Sequence, residues 1–254
     1  MKKLTLLIAL FICVSSGLTA QIQKEYIPKN LFKVNLTSLV LNNYMGQYER
    51  VLGKSVSVAF SYRVMPESTI PFKDFILKQI DDPEGDASEI LNNLKISNYA
   101  ITPEIRFYLG KKGYGRGFYI APFYRYAYFE GTNLSFDYDY ETGGASQTGT
   151  LTLKGDLTAN TVGIMFGAQW ALGRNICLDW WLIGPHFGTG KGNFVGTSSQ
   201  ALTSEMQSAI SDALNDFDIP MYDKTVTVNG QGATMTLEGK TGGIRAGILL
   251  GIKF

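Results

Sequence analysis

The sequence predicts an all-β fold, an eight-stranded antiparallel up-and-down transmembrane β-barrel with long external loops carrying short helices and hairpin extensions. Three observations predict it. Between turn signals, apolar residues alternate with small or polar ones at a period of two. The connections between these runs alternate short and long. The apolar faces are nearly free of charge, while the charged residues share their faces with glycine and serine.

The first element is a targeting segment. Met1-Lys2-Lys3 precedes an apolar run from Leu4 to Val14, then Ser15, Ser16, Gly17 and Leu18-Thr19-Ala20. A charged start, an apolar stretch and a small residue at a cut site describe a secretory signal. Residues 1–20 are therefore expected to be a signal peptide, and residues 21–254 one outer-membrane barrel domain. The apolar run falls short of the ~20 residues that a spanning helix needs. A lipoprotein reading would use Leu10-Phe11-Ile12-Cys13, but Ile12 is bulky for the position before a lipidated cysteine. Beyond the cut only Cys177 remains, which excludes an intramolecular disulfide in the mature segment.

Eight strand-like runs follow. Lys33 to Leu41 and Tyr44 to Val51 come first. Val56, Val58, Phe60, Tyr62 and Val64 then oppose Ser57, Ala59, Ser61 and Arg63. Tyr99, Ile101, Pro103, Ile105, Phe107 and Leu109 oppose Thr102, Glu104, Arg106 and Tyr108. Phe118, Ile120, Pro122, Tyr124, Tyr126 and Tyr128 oppose a face with Arg125. Val162, Ile164, Phe166, Ala168, Trp170 and Leu172 oppose Gly163, Met165, Gly167 and Gln169. Ile176 to Phe187 alternates least cleanly, with large apolar groups on both faces. Ile244, Ala246, Ile248, Leu250, Ile252 and Phe254 oppose Arg245, Gly247, Leu249, Gly251 and Lys253.

The short connections are Leu52-Gly53-Lys54, Gly110 to Gly117 and Gly173-Arg174-Asn175, at one end. Pro66 to Ser97, Gly131 to Asp156 and Gly188 to Thr241 are long and lie at the other, joined there by a tight Asn42-Asn43 turn. Within the long loops, Ser88 to Leu94 and Ser204 to Phe217 read as helices, the latter with Thr203 or Ser204 as N-cap. Asn133 to Leu153 and Lys224 to Leu237 read as hairpins turning at Gly143-Gly144 and Asn229-Gly230. Acidic residues gather in these loops: Asp74, Asp81, Asp82, Glu84, Asp86 and Glu89, then Asp137, Asp139 and Glu141, then Asp212, Asp216 and Asp218. They lack calcium-loop spacing and read as a solvated face.

Alternation alone fits a soluble lipocalin-like barrel as well as a membrane one; orientation separates them. The polar faces would make a poor water-facing surface. Turned inward, they offer an ionic network of Lys33, Glu49, Arg63, Glu104, Arg106, Arg125, Asp179 and Arg245. Buried charges need partners. Five of these eight are basic and three acidic, an imbalance that implies waters or loop carboxylates inside. The outward faces then carry two aromatic girdles, Tyr62, Tyr99, Tyr126 and Tyr128 externally, and Tyr48, Phe107, Trp170 and Phe254 at the periplasmic side. Leu250, Ile252 and Phe254 end the chain in step, as an insertion signal read by the barrel-assembly machinery would.

Composition closes off other classes. The 254 residues carry a formal net charge of +1, so no basic excess exists to neutralise phosphates of a nucleic acid. One histidine and two cysteines cannot build a zinc finger or iron–sulfur site. No metal and no cofactor are expected. The charged fraction of 18% is low against a usual ~25%, which suits a surface that is not entirely wet.

Four stretches carry a family resemblance: Lys33-Val34-Asn35-Leu36, Tyr48-Glu49-Arg50, Gly184-Pro185-His186-Phe187-Gly188, and Gly243-Ile244-Arg245-Ala246-Gly247 on to Phe254. In these the chain resembles the uncharacterised small outer-membrane β-barrel proteins of Gram-negative bacteria, a domain-of-unknown-function class related in architecture to the OmpA-like transmembrane barrel. The resemblance implies an eight-stranded barrel in the outer membrane. It implies no catalytic residues, and no peptidoglycan-binding domain is expected after Phe254.

Function is expected to be non-enzymatic, a structural or interaction role through the external loops above a filled lumen. Outer-membrane lipid and the assembly machinery are the expected partners, and the sequence does not identify an external one. Two other functions fit less of the pattern. A lipid A deacylase or acyltransferase would use His186, but Thr189, Ser198 and Ser199 form no recognisable triad with it. A soluble lipocalin-like barrel would bind an apolar ligand.

Overall fold

The computed structural model describes residues 28–70, 92–142, 144–198, 200–217 and 219–254. The expected signal peptide, most of the expected helix (Ser88 to Leu91), Gly143, Ser199, Asp218 and the acidic residues from Asp74 to Glu89 lie outside the described residues. The strands are β1 (Asn30–Asn35), β2 (Tyr44–Val51), β3 (Val56–Thr69), β4 (Lys95–Tyr108), β5 (Gly117–Thr142), β6 (Ala145–Ala171), β7 (Ile176–Thr197), β8 (Tyr222–Asn229) and β9 (Gly232–Lys253). Helices α1 (Leu36–Leu39) and α2 (Ser204–Asp216) join them.

All pairings are antiparallel and form one sheet in the order β1-β2-β3-β4-β5-β6-β7-β9-β8. Because β9 also pairs with β1, the sheet closes on itself. The ring runs through β1 to β7 and β9, and β8 hangs on the outer part of β9. The sheet thus has nine strands, eight of them in the ring. The expected hairpin over Lys224 to Leu237 is not separate from the last barrel strand: its second arm and the run to Phe254 are one continuous β9 of 22 residues.

Closure gives the wall two faces, and the sequence sorts itself between them. Phe107, Tyr124 and Ile248 are 44%, 43% and 41% exposed, while Arg106, Arg125 and Arg245 are 0%, 8% and 8% exposed. Apolar side chains therefore cover the outside and charged ones the inside, the reverse of a water-soluble core. On the outer wall Tyr62, Tyr99, Tyr126 and Tyr128 form a contiguous patch, with ring centroids 5.4–6.4 Å apart. Phe107, eight residues from Tyr99 on β4, lies about 26 Å further along the strand.

Pro103, Pro122 and Pro185 also face outward from β4, β5 and β7. Each removes a ladder donor, and the pairing of β4 with β5 is interrupted between Ile101 and Glu104. Their short rings leave a shallow outer groove of about 920 Å³.

Three local features depart from the sequence expectation. The run from Lys33 to Leu41 stops being a strand at Asn35, whose side chain caps α1 by accepting from the Ser38 amide at 3.0 Å. Asn42, at φ +54°, then turns the chain into β2. In β7 one extra residue intrudes between Trp181 and Gly184, so Leu182 and Ile183 both point outward. That bulge explains the poor alternation there: the inward positions switch from Cys177, Asp179 and Trp181 to Gly184 and His186. A second bulge lies in β5 between Gly131 and Leu134, where Asn133 has φ +61°. It moves Leu134 and Phe136 onto the inward side, where Phe129 already points.

Beyond Tyr128, β5 continues 14 residues, roughly 45 Å of strand. This overhang has its own apolar core, in which Leu134, Phe136, Leu151, Leu153, Met235 and Leu237 meet Ile210 and Leu214 of α2. α2 starts at Thr203, whose hydroxyl accepts from the Met206 amide. The exposed Glu205 carboxylate is held below its ordinary range by its backbone amide and the Thr203 hydroxyl. At the other end Lys224 of β8 donates to the carbonyls of Leu214 (2.6 Å), Asn215 (3.0 Å) and Phe217. A cation on the last carbonyls opposes the negative end of the helix.

Lys224→Met should therefore loosen α2 by up to about 2 kcal/mol. Amide exchange should speed up in α2 and stay unchanged in β2 to β4; equal exchange in both proteins would show that the contact holds nothing.

Candidate functional site

The inside of the ring is stacked in levels. At the short-turn end, Leu31, Val51 and Cys177 pack together, and Tyr114 of the β4–β5 turn closes against them. That turn places Gly115 at φ +72°, where a Cβ would meet Val51 at 3.2 Å and Gln169 at 3.3 Å, so a larger residue would be strained and crowded. The Gly115 carbonyl accepts from Gln169 Nε2 at 2.7 Å, which ties the turn to the level above.

That level is ionic. Lys33 Nζ uses its three donors on Glu49 Oε2 (2.6 Å), Asp179 Oδ2 (2.7 Å) and Gln169 Oε1 (2.7 Å). Arg106 Nη1 reaches Asp179 Oδ2 at 2.6 Å and Glu49 Oε2 and Gln169 Oε1 at 3.2 Å each. Its Nε donates to Glu104 Oε1 at 2.6 Å and its Nη2 to Gln47 Oε1 at 2.9 Å. The remaining oxygens of Glu49 and Asp179 are also met, while Glu104 Oε2 has no hydrogen-bond partner among the described residues. Glu49 Oε1 accepts from Tyr108 (2.7 Å) and Ser57 (2.6 Å), and Asp179 Oδ1 from Tyr119 (2.7 Å). Lys33, Glu49, Arg106 and Asp179 have no solvent exposure at all.

Five charges in this level, two positive and three negative, leave one negative charge. Arg245 offsets it from above, its Nη1 3.6 Å from Glu104 Oε2. The Arg245 guanidinium also stacks between the rings of Phe123 (4.5 Å) and Trp181 (4.4 Å).

The eight residues expected to share the lumen thus divide. Lys33, Glu49, Glu104, Arg106, Asp179 and Arg245 are joined by ion pairs. Arg63 and Arg125 line the same interior but meet no carboxylate among the described residues; Arg63 donates to Asn98 at 3.0 Å and Arg125 to Thr102 at 3.3 Å. Gln47, Ser57, Tyr108, Tyr119 and Gln169 complete the network and were not expected in it. Their signal was their place on the charged face at the same height. Lys253, 8% exposed, also faces inward at the short-turn end.

Leu250, Ile252 and Phe254 face outward at the end of the chain, 41%, 56% and 51% exposed. His186 is half-buried and edge-on to Phe123, with ring centroids 6.0 Å apart. Its Nδ1 has no hydrogen-bond partner among the described residues. Among the described residues no group of three or more His, Cys, Asp or Glu side chains is placed to hold a metal ion. Comparison with protein-family models, with curated proteins and with solved structures finds no match to this chain.

Removing one member should strand buried charges of the other sign. Arg106→Met should cost about 3–5 kcal/mol, and Tyr108→Phe about 1.5–3 kcal/mol through the lost bond to a carboxylate. Urea unfolding of the refolded chain reads both; an unmoved midpoint for Arg106→Met would show that the network does not hold the barrel.

Proposed function

We propose that this chain is an outer-membrane β-barrel protein with a filled lumen, acting structurally or as an interaction protein through its overhanging external segments, without catalysis. One observation carries the proposal: the outer wall is apolar and the interior ionic. A wall of Phe32, Val58, Phe60, Ile105, Phe107, Phe166, Ile248 and Ile252, all 38–56% exposed, is far more apolar surface than soluble proteins leave to water. In a bilayer the same wall meets acyl chains, and the closed ladder leaves no unpaired sheet edge in hydrocarbon. A soluble lipocalin-like barrel would need the opposite arrangement, with these side chains inside around its ligand.

Aromatic residues near both ends of the wall support the same reading. Tyr62, Tyr99, Tyr126 and Tyr128 suit one headgroup region, and Tyr48, Phe107, Trp170 and Phe254 the other. The roughly 26 Å of strand between Tyr99 and Phe107, tilted by the usual 35–45°, spans about 20 Å along the membrane normal, near the ~25 Å apolar band of such barrels. β9 closes the ring against β1, and its Leu250 and Ile252, with the terminal Phe254, supply an outward apolar terminus for the barrel-assembly machinery. The segment from Met1 to Ala20 is proposed to export the chain to that membrane.

The filled lumen sets the remaining expectation. The ionic level and Tyr114 occupy an interior that eight strands already crowd, which supports a lumen without an open passage.

Fractionated Gram-negative cells should yield the protein in detergent-extracted outer membranes. It should run faster on gels unheated than boiled, and give no steady porin-sized conductance in planar bilayers. Recovery in the soluble periplasm would sink the membrane reading, and large stable channels the filled lumen.

A further inference from the structure

Above the neutralised level the interior holds an unbalanced one. Arg63 of β3, Arg125 of β5 and Arg245 of β9 contribute to it from three strands of the ring. Arg125 and Arg245 are each 8% exposed. Arg63 and Arg125 repel one another, and each is repelled by Arg245. His186 lies within electrostatic reach of all three.

Their partners do not cancel this charge. Among the described residues Arg63 and Arg125 donate only to the neutral oxygens of Asn98 and Thr102. Glu104 is the one carboxylate paired with Arg245 among the described residues, and its Oε1 already serves Arg106. Arg63 Nε and both Arg245 Nη atoms are buried without a hydrogen-bond partner among the described residues. Leaving buried charged donors unmade is costly, of the order of several kcal/mol. The wall beside Arg63 is small. Arg63 sits in register with Ala100, which pairs with Ala127, then Ala159 and Gly190. Arg125 sits in register with Thr161.

We propose that Arg63, Arg125 and Arg245 form an anion site in the outward half of the lumen that takes a phosphate-class oxyanion, either a free ion or a lipid headgroup. Three guanidinium groups within electrostatic reach of one another, two of them without a carboxylate partner among the described residues, offer the forked donors that suit a tetrahedral anion with several acceptor oxygens. With Arg245 set against the level below, a dianion offsets the two positive charges that remain, whereas a single carboxylate leaves one guanidinium uncompensated. The site stands on the interior geometry and holds whether or not the outer wall meets lipid.

The test is calorimetric titration of the purified full chain in detergent with inorganic phosphate, against chloride at matched ionic strength. Saturable binding of one phosphate per chain is expected, weakened tenfold or more in Arg125→Gln and in Arg63→Gln. Thermal unfolding gives a second readout. Phosphate should raise the wild-type midpoint. Without phosphate, Arg125→Gln should unfold at a higher temperature than wild type, because it removes unopposed repulsion; a merely structural arginine would lower that midpoint. In nanodiscs, loss of phosphate binding on replacing phosphatidylcholine with phosphatidic acid identifies a headgroup, and unchanged binding identifies the free ion. Absence of phosphate binding by the wild type, or binding equal in all variants, overturns the proposal.

Discussion

The structure depends on one contact set, the meeting of Lys33, Glu49, Arg106 and Asp179 inside the ring. These residues come from β1, β2, β4 and β7, so a single cluster ties together strands on different sides of the barrel. β1 is only six residues long yet closes the sheet against β9. Ladder bonds alone would leave such a short strand free to slip. A slip of one residue would turn Lys33 outward and strand two carboxylates inside. The network therefore sets the register at the weakest seam, and the full pairing of Lys33, Glu49 and Asp179 is what makes their burial tolerable. Each donor of Lys33 and each oxygen of Glu49 and Asp179 has a partner. A half-satisfied cluster would destabilise more than an apolar filling.

The two-faced wall was legible in the sequence because a closed antiparallel sheet imposes a strict period of two. In β4 and β9 the expected outward and inward residues take those places one by one, from Thr102 to Tyr108 and from Ile244 to Phe254. Legibility failed where that period is broken by one residue. Leu182 makes the β7 segment look apolar on both faces, and the insertion near Asn133 reverses the faces of β5. A bulge is a tertiary solution, and composition carries little trace of it. The end of β1 failed for a different reason. Asn35 competes for the backbone by capping α1, a local bond that overrides an apolar run continuing to Leu41.

Within the site, the charged members were legible because a charge on a face of glycine and serine has few alternatives to the interior. The neutral members were not. Tyr108 stands on the charged face of its run without a role and Tyr119 draws no attention in the sequence; their height beside Glu49 and Asp179 makes their hydroxyls donors. Height depends on strand shear, which pairwise alternation does not encode. The same limit hid the split of the eight charges. Sequence counting finds five basic and three acidic residues, but only register shows that the three acids sit together low in the barrel, leaving the cations above them.

That segregation is the last consequence of the seam. Holding Lys33 and Arg106 in place takes Glu49 and Asp179 outright and one oxygen of Glu104. The carboxylates of the lumen are then nearly exhausted by closure itself, and Arg245 shares what remains. Arg63 and Arg125 cannot be neutralised from the same stock without dismantling the level that keeps β1 in register. Their retention in a small-walled part of the interior is therefore hard to explain as stabilisation, since apolar residues of similar volume would cost less there. A role outside folding accounts for them better, and the field that they create is directed at negative charge.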